Sequence, residues 1–207
     1  MKRQSQFDAG RVSALSDGVF AIAMTLLVLD LKLPDLETGM SREEFAAVVL
    51  QQAPRFASWL LSFAILARLW IMQHALLAVG DTRSRGFVSW TFLFLGAVSF
   101  IPFPTSLMSE HHDQALSIVI FSATLGVAGI ALLGMQGVER RQKRTTGVKK
   151  PSGELLPVLI SSLLATAVLA SAAAILRPVL GVWIWAVFPI VAAVLARRGG
   201  SSSPTVD

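Results

Sequence analysis

The stretch RVSALSDGVFAIAMTLLVLD, residues 11–30, combines an apolar run with charged and hydroxyl side chains. Residues 19–29 are apolar enough to enter a bilayer, yet Arg11 and Asp17 precede this run and Asp30 ends it. Ionisable side chains at membrane depth are costly, so they normally face a protein interior or a water-filled path. The stretch therefore predicts a first membrane helix that lines a pathway.

The composition predicts an all-α integral membrane protein. Of the 207 residues, 54% are hydrophobic and 15% are charged, whereas charged residues make up about 25% of a typical soluble domain. The chain has no cysteine, which excludes disulfides and thiolate metal sites. The net charge of +5 reflects basic loops rather than a nucleic-acid surface, because positive residues mark the cytoplasmic side of membrane proteins.

Six apolar segments are expected if about 20 residues make one crossing. They form one domain over residues 1–198, and the polar tail 199–207 is predicted to be disordered. Arg177 and Pro178 separate the last two segments, and Pro102 and Pro104 should distort the outer half of the third. The six segments lie at about 12–32, 53–79, 86–108, 114–137, 155–176 and 178–196.

Basic residues are unevenly distributed among the connections. They gather at the N-terminus, near residues 83–85, in the linker 139–154 and at residues 197–198, while the connection 32–52 is mainly acidic. This asymmetry places both termini in the cytoplasm and agrees with six crossings. The linker 139–154 is expected to bind anionic lipid headgroups. Nucleic acid is excluded as a partner, since no aromatic residue interrupts its charges to stack on bases.

The first helix separates into distinct faces at about 100° per residue. Ile22, Leu26 and Leu29 fall in a narrow arc, and Asp17 lies on a different side. From periodicity alone, lipid or another helix is the favoured neighbour of this aliphatic stripe, because such stripes are common in membranes.

The second segment carries Trp70 and His74, one helical turn apart. Because His74 and Asp17 lie at similar depth, they could form a polar cluster with Arg11 and Ser16. The cluster lacks a nucleophile and a metal-ligand set, so an enzyme is not expected. The outer turn with two adjacent histidines, residues 111–112, favours a solvated loop over a metal site.

The motif Arg11-x-x-x-Leu15-Ser16-Asp17-Gly18 resembles the RxxxFSDG signature of the prokaryotic transmembrane-protein-175 family. These proteins are bacterial and archaeal relatives of the lysosomal potassium channel. The Trp-x-x-x-His pattern of the second segment and a Pro-Phe-x-Thr element in the third are also similar to that family. Leu15 stands where the family usually has phenylalanine.

The resemblance implies a homotetramer of six-helix subunits, with the first helix of each subunit around a central pore. Ile22 matches the principal constriction, Leu26 and Leu29 match hydrophobic layers outside it, and Thr25 matches a nearby hydroxyl. This implication reverses the lipid-facing interpretation of the stripe. The residues that match a network between the first two membrane helices are Arg11, Ser16, Asp17, Trp70 and His74. Asp30 is expected to attract cations at the pore mouth.

The leading hypothesis is a potassium-selective or potassium-preferring cation channel in the inner membrane of a prokaryote, with no cofactor and K⁺ as the permeant ion. Its constriction is hydrophobic and is formed by the first helix of each subunit. The alternative is a proton-conducting channel or proton-coupled transporter in which Asp17 and His74 exchange protons, since histidine titrates near neutral pH. A third class, a non-conducting membrane scaffold, stays open.

Overall fold

The computed structural model describes residues 7–32, 40–78, 82–111, 113–146, 155–177, 180–181 and 183–188. The first helix, α1, is continued by a 3₁₀ turn at Leu27–Asp30. Two short strands, β1 (Phe7–Asp8) and β2 (Thr82–Arg83), pair antiparallel. The helices are α1 (Ala9–Leu26), α2 (Arg42–Gln51), α3 (Ala53–Leu77), α4 (Arg85–Phe100), α5 (Pro102–Glu110), α6 (Ala115–Thr146) and α7 (Leu155–Leu176).

Five helical stretches of the described chain are long and apolar enough to cross a membrane. They are α1 with its 3₁₀ turn, α3, α4 together with α5, most of α6, and most of α7. These stretches confirm the helical membrane class and coincide with the first five predicted segments. The sixth segment falls mostly outside the described residues, although residues 183–188 are helical. Six crossings, the side of the termini and the tetramer stay predictions.

The third membrane stretch is broken at Ile101, between α4 and α5. Pro102 and Pro104 have no N–H to donate, so an unbroken α-helix cannot be completed here. The Ile101 N–H instead donates to the Val98 carbonyl at 3.2 Å, and the Thr105 hydroxyl donates to the Ile101 carbonyl at 2.9 Å. The prolines therefore interrupt the helical hydrogen bonds of this stretch, which agrees with the distortion that the sequence predicts.

Two connections contain more helix than the sequence predicts. The connection 32–52 was expected to be a loop, but it contains α2, which starts with a capping box. The Ser41 hydroxyl accepts the Glu44 N–H at 3.2 Å, and the Glu44 carboxylate accepts the Ser41 N–H at 2.8 Å. The Ser41 backbone N–H, and to a smaller extent the Ser41 hydroxyl, lower the pKa of the Glu44 carboxyl by hydrogen bonding to it. The basic linker likewise begins later than expected, since α6 continues to Thr146.

The strand pair joins the start of α1 to the connection between α3 and α4. Asp8 caps α1 by accepting the Arg11 N–H at 2.8 Å. On the paired strand, Arg83 is buried and donates to the Leu77 and Leu76 carbonyls, 2.6 and 3.3 Å away, at the end of α3. The start of α1 and the Arg83 connection therefore lie at one end of the bundle.

The core is centred on α6, which packs against α4 on one side and α7 on the other. Gly134 of α6 lies against the Trp90 ring so closely that an added Cβ would clash with it. Trp185 is buried and donates its indole N–H to the Ser122 hydroxyl of α6 at 2.9 Å. By contrast, α1 contacts this core along one side, where Phe20 meets Phe94 of α4 with ring centroids 5.9 Å apart.

Candidate pore-lining helix

Helix α1 has one buried face and one broad exposed face. The exposed face carries the aliphatic stripe predicted from the sequence, with Ile22 61%, Leu26 43% and Leu29 62% exposed in the single chain. Small side chains lie along the middle of the same face, and a Cβ at Gly18 would meet no atom within 4 Å. The buried residues of α1 are Ala9, Val12, Ser16, Phe20 and Ala23.

The hydroxyl of Thr25 lies on the exposed face between the positions of Ile22 and Leu26. Its oxygen is 2.9 Å from both the Ala21 and the Ile22 carbonyl oxygens, so its proton is donated to the helix itself. A hydroxyl oxygen also has two acceptor lone pairs. Thr25 therefore presents an acceptor oxygen, rather than a donor, beside the aliphatic stripe.

The Asp17 carboxylate lies beside α3 and away from the aliphatic stripe. The indole N–H of Trp70 donates to its Oδ1 at 2.8 Å. The Trp70 ring stacks on His74 with centroids 5.2 Å apart and an interplanar angle of 28°. The structure thus brings Asp17, Trp70 and His74 together, with the tryptophan in contact with both titratable residues.

Ser16 has a separate partner on α3 that the sequence reasoning missed. The Gln73 side-chain amide donates to the Ser16 hydroxyl at 3.0 Å, and that hydroxyl donates to the Val12 carbonyl at 2.9 Å. Ser16 and Gln73 are both buried. A polar stripe on α3 is the feature of the sequence that could have indicated this partner. Ser62 and Gln73 are eleven positions apart, which is about three turns, so they lie on the same face of α3.

Arg11 does not join the polar cluster in the single chain. Its backbone N–H is bound by Asp8, and its side chain is exposed. Among the described residues, the Arg11 guanidinium makes no hydrogen bond or ion pair with Asp17 or His74. The sequence placed Arg11 in the cluster by its depth and by its match to the signature motif. Since Arg11 and Asp17 are six positions apart, their side chains are separated by about 120° around the broad exposed face.

The Asp30 carboxylate is fastened to α5 at the outer end of the helix. Its Oδ1 accepts the Ser106 hydroxyl and its Oδ2 accepts the Ser109 hydroxyl, both at 2.7 Å. The sequence predicts that Asp30 acts through its charge at the pore mouth, and it indicates neither serine as a partner. Both serines follow the proline break, so their direction depended on a kink whose angle the sequence does not specify.

Comparison with known proteins identifies relatives of this arrangement. Residues 11–102 match the family model described as "Endosomal/lysosomal potassium channel TMEM175". A potassium channel of Chamaesiphon minutus is 38% identical over 112 residues, which are 53% of this chain and 55% of that protein. The human endosomal/lysosomal proton channel TMEM175 is 33% identical over 123 residues, 56% of this chain and 24% of the human protein.

A solved structure has the same fold over nearly the whole chain. The crystal structure of a homologue of the lysosomal potassium-selective channel TMEM175 from Chamaesiphon minutus superimposes with a TM-score of 0.72 at 23% identity. The superposition covers 93% of this chain and 98% of that chain. The family match includes the RxxxLSDG motif, α3 and α4, and confirms the resemblance seen in the sequence. The match to the TMEM175 family model runs from the start of the signature motif to the proline break, and the chain spans about half the length of the bacterial potassium channel that it matches.

Proposed function

We propose that the chain is a potassium-selective or potassium-preferring cation channel in the inner membrane of a prokaryote. Four copies surround a central pore, and α1 of each copy lines it. The observation that carries the proposal is the exposed face of α1. An aliphatic stripe and small residues lie on this face, and Asp17, at the edge of the face, is bound to Trp70. The names of the bacterial relative and the solved homologue support potassium as the permeant ion.

The poor coverage of α1 supports an assembly of several copies. In its most apolar stretch, 28% of the residues are buried, against 50% in α3 and 56% in α6. Lipid alone is an unsuitable neighbour for this face, since Arg11, Asp17 and Thr25 are exposed on it. Small residues allow close approach of membrane helices. The small residues in the middle of the face, which suit contact with α1 of a neighbouring copy, are Ala14, Gly18 and Ala21.

The aliphatic stripe suits a hydrophobic constriction. Rings of Ile22, Leu26 and Leu29 offer no oxygen to replace the hydration shell of an ion, so a narrow pore conducts only when its walls move apart enough to admit water. The Thr25 hydroxyl adds one acceptor oxygen per copy between the first two rings. The closed pore then contains a short dry barrier with a ring of hydroxyl oxygens inside it, and water must enter this barrier before ions cross.

Potassium flux into liposomes that contain the purified protein tests the proposal. Ile22→Asn should change the flux by about tenfold, which corresponds to about 1.4 kcal/mol in the barrier, because a polar ring hydrates the constriction. Leu169→Asn is the matched control, since Leu169 of α7 is 60% exposed on the outside of the same bundle. Equal flux from the Ile22 variant and the parent, in correctly inserted protein, would show that α1 does not form the constriction.

Proton conduction through Asp17 and His74 is the second candidate, and the name of the human relative favours it. The geometry of the single chain opposes direct exchange, because the Trp70 indole N–H occupies the Asp17 oxygen nearest to it. An indole is a donor with no acceptor nitrogen, so it cannot relay a proton between the two groups. Reversal potentials in opposed potassium and proton gradients separate the candidates. A potassium channel follows the potassium gradient and keeps conducting after Asp17→Asn.

A further inference from the structure

The outer end of α1 is joined to the bundle by a carboxylate that binds two serines. Each oxygen of the half-buried Asp30 carboxylate accepts one hydroxyl, from Ser106 and from Ser109, at 2.7 Å. Ser109 Oγ is also 2.8 Å from the Ser106 carbonyl, but a hydrogen bond to a charged acceptor is the stronger of the two. Asp30 thus binds α5 through two short hydrogen bonds.

The 3₁₀ turn connects this attachment to the exposed stripe. Residues three apart are eclipsed in a 3₁₀-helix, so Asp30 lies on the same side as Leu27, and Leu29 on the same side as Leu26. Burial agrees, because Leu27 is 1% exposed while Leu29 is among the most exposed residues of the helix. A rotation of the turn that frees Asp30 from α5 must therefore also move the Leu29 side chain.

Helix α5 is itself fixed independently of Asp30. The hydroxyls of Thr105 and of Ser62 in α3 are hydrogen-bonded to each other at 2.8 Å, and both residues are buried. Ser106 and Ser109 are three positions apart and so share a face of α5. This face meets the 3₁₀ turn through the two hydrogen bonds to Asp30, so the end of α1 is bound to a helix that is itself bound to α3.

We propose that Asp30 is a positioning residue, which sets where Leu29 stands by holding the 3₁₀ turn against α5. Its consequence for conduction rests on the proposed function, in which Leu29 forms the outer ring of the constriction. This role differs from attraction of cations at the pore mouth. A positioning role depends on the two hydrogen bonds and survives loss of the charge, whereas an electrostatic role depends on the charge and survives loss of the serines.

Two variants separate these roles. Ser106→Ala/Ser109→Ala keeps the Asp30 charge and removes both hydroxyl donors. Asp30→Asn removes the charge but keeps a group that can accept from one serine and donate to the other. The readout is the modification rate of a cysteine at Leu29 in liposomes that contain the full chain. The parent has no cysteine, so Leu29→Cys supplies the reacting thiol, and Ile22→Cys serves as the reference position.

Membrane-impermeant methanethiosulfonate reagents of both charges should be used. In the double serine variant, the rate at position 29 should change by about tenfold in the same direction for the cationic and the anionic reagent, because two hydrogen bonds to a charged group are lost. The rate at position 22 should change less. Ser106→Thr/Ser109→Thr restores the hydroxyls and should return the rate at position 29 towards that of the parent.

The proposal is overturned if the double serine variant leaves the rate at position 29 unchanged. It is also overturned if Asp30→Asn produces the larger change, with the cationic reagent slowed and the anionic reagent accelerated, since that pattern identifies an electrostatic role. Potassium flux of the parent liposomes is measured alongside. Absence of flux would contradict the proposed function, while the modification rates would still decide whether Asp30 holds the turn.

Discussion

Helices α1 and α7 are both poorly covered by the rest of the chain, but their exposed faces differ in chemistry. In their most apolar stretches, 28% of α1 and 33% of α7 are buried. The exposed positions of α7 include Val168, Leu169 and Ile175, and its exposed Ser161 hydroxyl is bound to its own helix through the Val158 carbonyl. The exposed face of α1 carries Arg11 and Asp17 as well as aliphatic residues.

This difference teaches that coverage and chemistry must be considered together. A helix whose exposed face is apolar can have lipid as its only neighbour on that side, because nothing on the face needs a polar partner. A helix with charged residues on its exposed face is costly to place against lipid. Helix α1 therefore requires protein or water on that side. The contrast supports an outward position for α7 and an inward position for α1 in the proposed assembly.

A charge on the exposed face of α7 is the strongest test of the contrast. Val168→Asp should disfavour membrane insertion by about 3 kcal/mol, the cost of a carboxylate near the centre of a lipid-facing helix. The measurement is the fraction of chains recovered as folded protein from membranes, by size-exclusion chromatography, with Val168→Leu as the control. If Val168→Asp is recovered as well as its control, α7 does not face lipid and the contrast with α1 is lost.

The sequence predicted the faces of α1 well and its attachments poorly. The placement of Ile22 and Leu26 in one arc and of Asp17 outside that arc follows from helical periodicity, which depends on nothing outside the helix. The partners Gln73, Ser106 and Ser109 depend on which residues of other helices lie nearby, and that depends on helix rotation and on the bend at Ile101. Polar residues in apolar segments indicate that a partner exists, but they do not identify it.

The same limit explains α2 and the strand pair. The spacing of Ser41 and Glu44 is that of a capping box, but the acidic charge of this connection does not by itself predict a helix. The pairing of β1 with β2 joins residues about 75 positions apart by backbone hydrogen bonds. Two-residue strands have no alternating pattern long enough to detect.

Two serine substitutions compare a hydrogen bond between helices with one inside a single helix. Ser16 joins α1 to α3, whereas Ser162 is bonded within α7. Ser16→Ala should cost about 2 kcal/mol, because it leaves the buried Gln73 amide without its acceptor. Ser162→Ala in α7 should cost much less, since the half-buried Ser162 hydroxyl is bound to the Leu159 carbonyl of its own helix at 2.8 Å. Detergent-induced unfolding of the purified protein measures both values.

A double variant shows whether the cost comes from the unpaired amide. Ser16→Ala/Gln73→Leu removes both partners and should be more stable than Ser16→Ala alone, because replacing both ends of a buried hydrogen bond with apolar groups is nearly neutral. If the double variant is the less stable of the two, the Ser16–Gln73 contact is not what joins α1 to α3.

The smallest expected effect concerns the Trp70 indole, which binds Asp17 at the edge of the exposed face of α1. Trp70→Phe keeps an aromatic ring to stack on His74 and removes the N–H donor. It should destabilise the protein by about 1 kcal/mol. This cost is smaller than that of losing a hydrogen bond to a buried charged acceptor, because Asp17 is exposed. Trp183→Phe is the matched control, since Trp183 is 66% exposed and has no hydrogen-bond partner among the described residues. Thermal unfolding in detergent compares the two. Equal stability of both variants would mean that Asp17 is held by a group outside the single chain, and the edge between the polar and aliphatic parts of α1 would then be set by a neighbouring copy rather than by α3.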